Sequence, residues 1–188
     1  LPIGVHPDGL EVHQHPELFY ADTQAGAIPD TNWPRGANWG FPTYHWDEPL
    51  FSMLKHRLSH LSQYFDALRI DHVLGFFRIW EIPADAIDGV LGHFSPSLPL
   101  TVDEIEYFGL PFRKELYTKP FINDRLIERL FGIHAAYVRD NFLVRKAYNL
   151  YDLKEEYSTQ RKVAEAFDGR RDENSLWIRD GLYRLVSN

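Results

Sequence analysis

The chain contains no cysteine. That excludes a disulfide framework, a thiolate zinc site and a thiol nucleophile. It has no long uninterrupted apolar run, so no segment is expected to cross a bilayer, and no signal-peptide pattern opens it. No block of lysine and arginine rises above the background in a chain of net charge −7, and a surface that tracks nucleic-acid phosphates is not expected. A Gly-x-Ser-x-Gly elbow and a Gly-rich phosphate loop are both missing, which sets aside serine-hydrolase and phosphate-loop chemistry. The lack of cysteine suits a reducing compartment, and a cytoplasmic location is expected.

What is present is a chain of 188 residues, 44% hydrophobic, long enough to bury roughly 70% of its unfolded surface. Much of the aromatic content, five Trp, ten Tyr and thirteen Phe, belongs to the core. Those in Gly-, Pro- and Asn-rich stretches suit flat, hydroxyl-rimmed ligands such as sugars. "LPIGV" (1–5) reads as the tail of a buried strand already under way, so more chain is expected upstream. Residues 6–46 read as one long loop region, a length that usually marks function. Asp47 is placed to cap a helix with Pro49 in its first turn. Leu50, Leu54, Leu58, Leu61 and Phe65 then repeat at helical period. This helix is expected to run straight into a strand, Ala67–Asp71, the return limb of a βαβ unit. Beyond Pro83 the signals are helical. Thr101 to Glu104 has capping-box spacing, Ser158 and Thr159 can cap "QRKVAEAF" with Gly169 closing it, and "NSLWIRDGLYRLVSN" reads as a helix weakened by Gly181. Two strands cannot close an eight-stranded α/β barrel, so a barrel reading makes this chain a piece of one.

The chemistry concentrates in "ALRIDHVLGFFRIWEIP", residues 67–83. On a strand, Arg69 and Asp71 share one face and Leu68 and Ile70 the other. Asp71 then lies nearest the carboxyl end, where barrel enzymes keep their chemistry. Arg69 beside it favours the ionised carboxylate, which can attack an anomeric carbon. The same spacing also describes an ion pair that ties the strand to a neighbour, and spacing alone leaves both open. His13-x-His15 and His56-x-x-x-His60 have ligand-like spacing. However, His56 and His60 avoid the leucine stripe, and His13 and His15 have no third ligand nearby, so no metal is expected. The alternative function is a non-catalytic glucan-binding module that stacks sugars on Trp33, Trp39, Tyr44 and Trp46. Such a module needs no ionised carboxylate at a strand end.

"LRIDHVLGFFRIWEIP" resembles the nucleophile segment of the 4-α-glucanotransferases of glycoside hydrolase family 77, with Arg-x-Asp-His, then Gly-Phe, then Trp-Glu-Ile-Pro. "QAGAIPD" (24–30) and "NWGFPTYHW" (38–46) resemble that family's substrate loop and the segment after it. The helical stretch after Pro83 resembles the insert of the plant-cytosolic and Bacteroides-type branch. The resemblance implies an α/β fold: a partial (β/α)₈ barrel in residues 1–83, including the substrate loop and nucleophile strand, and a largely helical insert in 84–188. It implies Asp71 as nucleophile, Arg69 as the group that orients it, and His72 as a donor-side sugar contact. Trp39, Gly40 and Pro42 would border the acceptor side, and the loop carrying Trp39 and Pro42 is expected to pack near His72 as one wall of a sugar-sized cleft. It implies no cofactor and no metal. The expected partners are maltodextrins and the missing remainder of the chain's own barrel, with no nucleic acid and no membrane. Ala37 departs from the glutamine that many members carry, removing an amide that could bond sugar hydroxyls. The family's acid/base glutamate lies in a Glu-Asp-Leu-Gly segment that does not occur in these residues. Glu81 of Trp-Glu-Ile-Pro is expected to be structural or at the site's edge. The isolated chain is therefore expected to be inactive.

Overall fold

The computed structural model describes residues 4–188. Of the strand tail expected at residues 1–5, Leu1 to Ile3 lie outside the described residues, and Gly4 and Val5 are irregular. The chain divides into two compact units, residues 4–84 with 88–97, and residues 85–87 with 98–188.

The first unit opens with α1 (Leu10–Gln14) and then builds a hairpin from β1 (Phe19–Ala27) and β2 (Ala37–Tyr44). A helix α2 (Glu48–Leu61) and strands β3 (Ile79–Pro83) and β4 (His93–Ser95) complete it. The sheet order is β2-β1-β3-β4, and every pairing is antiparallel. Residues 6–46 are therefore not one long loop. "FYADTQAGA" and "ANWGFPTY" carry Gly, Ala, Asn and Pro, residues poor in strand propensity, and cross-strand packing overrides that preference. Register shifts interrupt the β1–β2 ladder between Phe19 and Gln24 and again between Gln24 and Gly26. Such bulges erase the clean alternation by which strands are read.

Asp47 caps α2 as expected, its carboxylate accepting from the Leu50 N–H at 3.3 Å, with Pro49 in the first turn. Leu50 is fully buried with Leu18, Phe19 and Tyr44, and Met53 and Leu54 pack beside them. The rest of the leucine stripe is not buried: Leu58 is 38% exposed and Phe65 63%. An ion pair between Glu11 and Arg57 ties α1 to the outer part of α2.

Backbone meets backbone where the turn after β1 passes residue 89. A Cβ on Gly89 would lie 2.7 Å from the Ala37 nitrogen, and one on Gly36 would lie 2.7 Å from the Ala27 carbonyl oxygen. Gly36 also holds φ at +67°, a region that favours glycine. The guanidinium of Arg35 and the carboxylate of Asp88 pair beside this crossing.

The second unit contains α3 (Val102–Tyr107), α4 (Lys114–Tyr117), α5 (Asp124–Phe131) and α6 (Ala135–Phe142). A hairpin of β5 (Leu143–Ala147) and β6 (Leu150–Leu153) follows, then α7 (Gln160–Ala166) and α8 (Glu173–Val186). Thr101 and Glu104 form the reciprocal capping box, and Thr159 caps α7. The hairpin was not expected. Its turn holds Asn149 at φ +55°, a conformation that asparagine tolerates better than most residues. Ile127, Phe131, Val138, Val163, Leu182 and Leu185 are all fully buried in one continuous cluster. Gly181 does not merely weaken α8. A Cβ there would collide with the Phe131 ring, so glycine is what lets α8 close on α5. Residues 85–87 join this unit through buried Gln160, whose Oε1 accepts from the Ile87 N–H at 2.7 Å and whose Nε2 donates to the Tyr183 carbonyl at 3.0 Å. Among the described residues, no helix is long and apolar enough to cross a membrane.

Candidate active-site segment

On β2, Trp39, Phe41 and Thr43 alternate onto one face of the sheet. Trp39 and Phe41 pack there against Ala25 of β1, Ile79 of β3 and Phe76. Phe76 ends a short 3-10 turn, Val73–Phe76, and lies 5.8 Å from the Trp46 ring. The other end of the turn is held by His72, whose ring meets Trp39 edge-to-face with centroids 5.2 Å apart. Two aromatic contacts thus hold the segment after Asp71, one on Trp39 of β2 and one on Trp46 just past its end.

The strand expected at Ala67–Asp71 does not form. Residues 67–71 are irregular and exposed, with Leu68 at 44% and Ile70 at 42%. A buried strand needs a ladder on at least one side and cover on its apolar face. Among the described residues no strand pairs with this segment, so nothing rewards the extended conformation. Arg69 and Asp71 are both exposed. His72 holds φ +45° and ψ +52°, the left-handed region that costs a side-chain-bearing residue and recurs at functional segments. The Gly75 N–H donates to its carbonyl at 2.9 Å and fixes the turn.

Trp39, Gly40 and Pro42 lie on a strand rather than in a loop. Gly40 takes φ +78° with open space around it, so glycine serves the backbone bulge there and not a close contact. Its N–H is held by the Asn38 side chain at 2.9 Å. Pro42 borders a recess with Gly75 and Trp46, but the recess holds only about 10 Å³, roughly the space of one water. The Trp39-bearing segment packs beside His72 as expected, and the recess at Pro42 is by itself smaller than a sugar ring. Ala37 starts β2, paired with Ala27.

Glu81, expected to be structural or at the site's edge, centres a polar cluster further along the same sheet face whose threonine partners sequence reasoning did not name. Glu81 on β3 is 8% exposed; its Oε1 accepts from the Thr43 hydroxyl at 2.8 Å and from that of Thr23 at 3.4 Å. Its Oε2 lies 3.8 Å from His93 Nε2. Thr23, Thr43 and Glu81 belong to three adjacent strands, so the carboxylate cross-links the sheet. The available signal was a glutamate flanked by Trp80 and Ile82 in a strand. Among the described residues no three histidines or carboxylates gather as a metal site.

A family model described as 4-alpha-glucanotransferase, glycoside hydrolase 77, matches residues 1–180. The chain belongs to this family. It is similar to the 4-alpha-glucanotransferase DPE2 of Oryza sativa subsp. japonica, at 38% identity over all of this chain and 21% of that protein. It is also similar to the 4-alpha-glucanotransferase of Thermus thermophilus, at 39% identity over 58% of this chain and 24% of that protein. A solved amylomaltase from Streptococcus agalactiae in complex with acarbose aligns with a TM-score of 0.48 and 36% identity, over 52% of this chain and 21% of that one. The chain thus spans only 21% of the rice relative's length and 24% of the Thermus one's. Membership of the 4-alpha-glucanotransferase family covers both units, because residues 1–180 include the sheet, the Asp71 segment and nearly all of the helices.

Proposed function

We propose that this chain is a piece of a 4-α-glucanotransferase and carries its nucleophile, Asp71. Residues 1–83 would belong to the catalytic (β/α)₈ barrel and residues 84–188 to a helical insert. The family match across residues 1–180 carries this reading. The Trp39–His72 contact supports it, because it joins the two motif segments that a sugar site would draw on.

In the proposed reaction the Asp71 carboxylate attacks the anomeric carbon of an α-1,4-linked donor. The C–O bond to the leaving sugar breaks, and a second carboxyl protonates the departing oxygen. That group then takes the proton of an acceptor 4-hydroxyl, whose oxygen attacks the glycosyl ester and frees Asp71. Such a retaining mechanism needs the second carboxyl ~5–5.5 Å from the first. Arg69 would hold Asp71 ionised, His72 would contact the donor sugar, and Trp39, Gly40 and Pro42 would border the acceptor. The acid/base would come from the remainder of a longer protein.

The exposure of Asp71 supports the expectation that the 188-residue chain alone is inactive. An unpositioned nucleophile forfeits preorganisation, and a missing acid/base group costs about 10²–10⁴-fold. The test has two arms. The isolated chain should release no glucose from maltotriose above a heat-killed control. In a longer family enzyme carrying this segment, Asp71→Asn should abolish transfer while maltodextrin binding persists. Glucose release by the isolated chain, or an active Asp71→Asn enzyme, would overturn the assignment.

A further inference from the structure

The helical unit carries a cleft that the proposed reaction does not use. It lies between α4, the segment 118–122 and the β5–β6 hairpin, and its volume is about 220 Å³. That is below the ~300–1,000 Å³ of sites that engulf a whole drug-sized ligand, and it suits one ring of a longer molecule. Leu116, Phe121, Ile122 and Tyr151 supply an apolar lining. Phe121 and Leu116 are 44% and 45% exposed, so this lining faces water. The wall is fixed in place: the Tyr151 N–H donates to the Ile122 carbonyl at 3.0 Å, and the Tyr151 hydroxyl donates to Asp124 Oδ1 at 3.0 Å.

Charge is arranged on the rim in two balanced pairs. Lys119 Nζ lies 2.7 Å from Glu115 Oε2, and Lys146 Nζ lies 3.2 Å from Asp152 Oδ2. The hydrogen bond from Lys119 holds the Glu115 carboxyl below its ordinary range, so this pair is ionised at neutral pH. The rim therefore has no net charge to attract a phosphate or a cation. It does offer ammonium donors and carboxylate acceptors on both sides. An apolar floor under such a rim fits a neutral ring with an apolar face and a hydroxyl edge.

We infer that this cleft is a second glucan contact, holding one glucosyl unit of an α-glucan on Phe121 and Tyr151 with Glu115, Lys119, Lys146 and Asp152 on its hydroxyls. The sugar class follows from the cleft; its being an α-glucan rests on the transferase reading above. The cleft belongs to the helical unit, whereas Asp71 belongs to the other. Its contribution is to retain substrate rather than to react with it.

The test is a titration of the ¹⁵N-labelled 188-residue chain with maltoheptaose, following amide shifts. Shifts should concentrate at 115–122 and 146–152, with a Kd on the order of 1 mM, the scale of a single weak contact. Phe121→Ala and, separately, Asp152→Asn should each weaken this binding about tenfold, whereas Asp71→Asn should leave it unchanged. Inorganic phosphate should not compete. Unaltered affinity in both cleft variants, shifts confined elsewhere, no saturable binding, or competition by phosphate would each overturn the inference. Failure here leaves the Asp71→Asn result on transfer untouched, and an active Asp71→Asn enzyme would not alter the cleft titration.

Discussion

The helical unit and the sheet unit differ in what they enclose. In the helical unit, α5 to α8 share one continuous core in which Phe131, Val138, Leu182 and Leu185 are wholly buried. In the sheet unit the buried apolar residues fall into small separate clusters. There the residues around Asp71 stay in water: Tyr64, Leu74 and Phe77 are 67%, 70% and 75% exposed. Helices satisfy their own backbone and need only one covered stripe. A strand needs a partner for its backbone, and that partner comes from elsewhere in the chain. The chemistry-bearing segment is thus the part least able to shape itself.

The largest expected effect lies in the helical core. Phe131→Ala removes a fully buried ring and should cost about 3–5 kcal/mol, read as a lower urea midpoint of the helical circular dichroism signal. A smaller loss would mean that the core is less continuous than its packing indicates.

Next comes the cap of α3. Thr101→Ala should cost about 0.5–2 kcal/mol, measured as amide exchange in residues 102–107. This cap is also pH-sensitive. Hydrogen bonds from the Thr101 N–H and hydroxyl hold the Glu104 carboxyl below its ordinary value of 4.5. A lowered folded value stabilises above pH 4.5 and is lost as pH falls through that folded value. Amide protection in α3 should therefore drop on acidification below pH 4.5, and Glu104→Gln should flatten that dependence.

The smallest effect sharpens the contrast most. Leu68→Ser with Ile70→Ser should change stability by no more than about 0.5 kcal/mol per site, as at exposed positions generally. A loss of several kcal/mol in the 188-residue chain would mean that these side chains are buried after all.

The sequence was legible where information is local. Asp47 with Pro49, the Thr101–Glu104 box and Thr159 each announce a helix start through a side chain that satisfies a nearby N–H, and each is found there. β1 and β2 were illegible because their ladder is non-local and broken by bulges. Leu68-Arg69-Ile70 has strand-like alternation, yet alternation states only a preference that a neighbour must complete. Of the candidate site, the meeting of Trp39 with His72 followed the motif order. The Thr23–Thr43–Glu81 cross-link did not, because no spacing relates three strands that pair only after folding. Gly181 was visible as a helix weakener, but its necessity depends on where Phe131 arrives.

The crossing at Gly36 and Gly89 bears on how freely this sequence can drift. Most contacts in the sheet unit can be renegotiated by exchanging one side chain for another of similar bulk. Here main chain touches main chain on both sides, so no pair of compensating substitutions can restore the fit. Each position admits a single letter of the amino-acid alphabet. The Arg35–Asp88 pair beside them could be traded for other polar partners without moving the backbone. A lineage can therefore rewrite the chemistry around this joint while the joint itself stays fixed, and tolerance to random substitution should fall most sharply at these two residues.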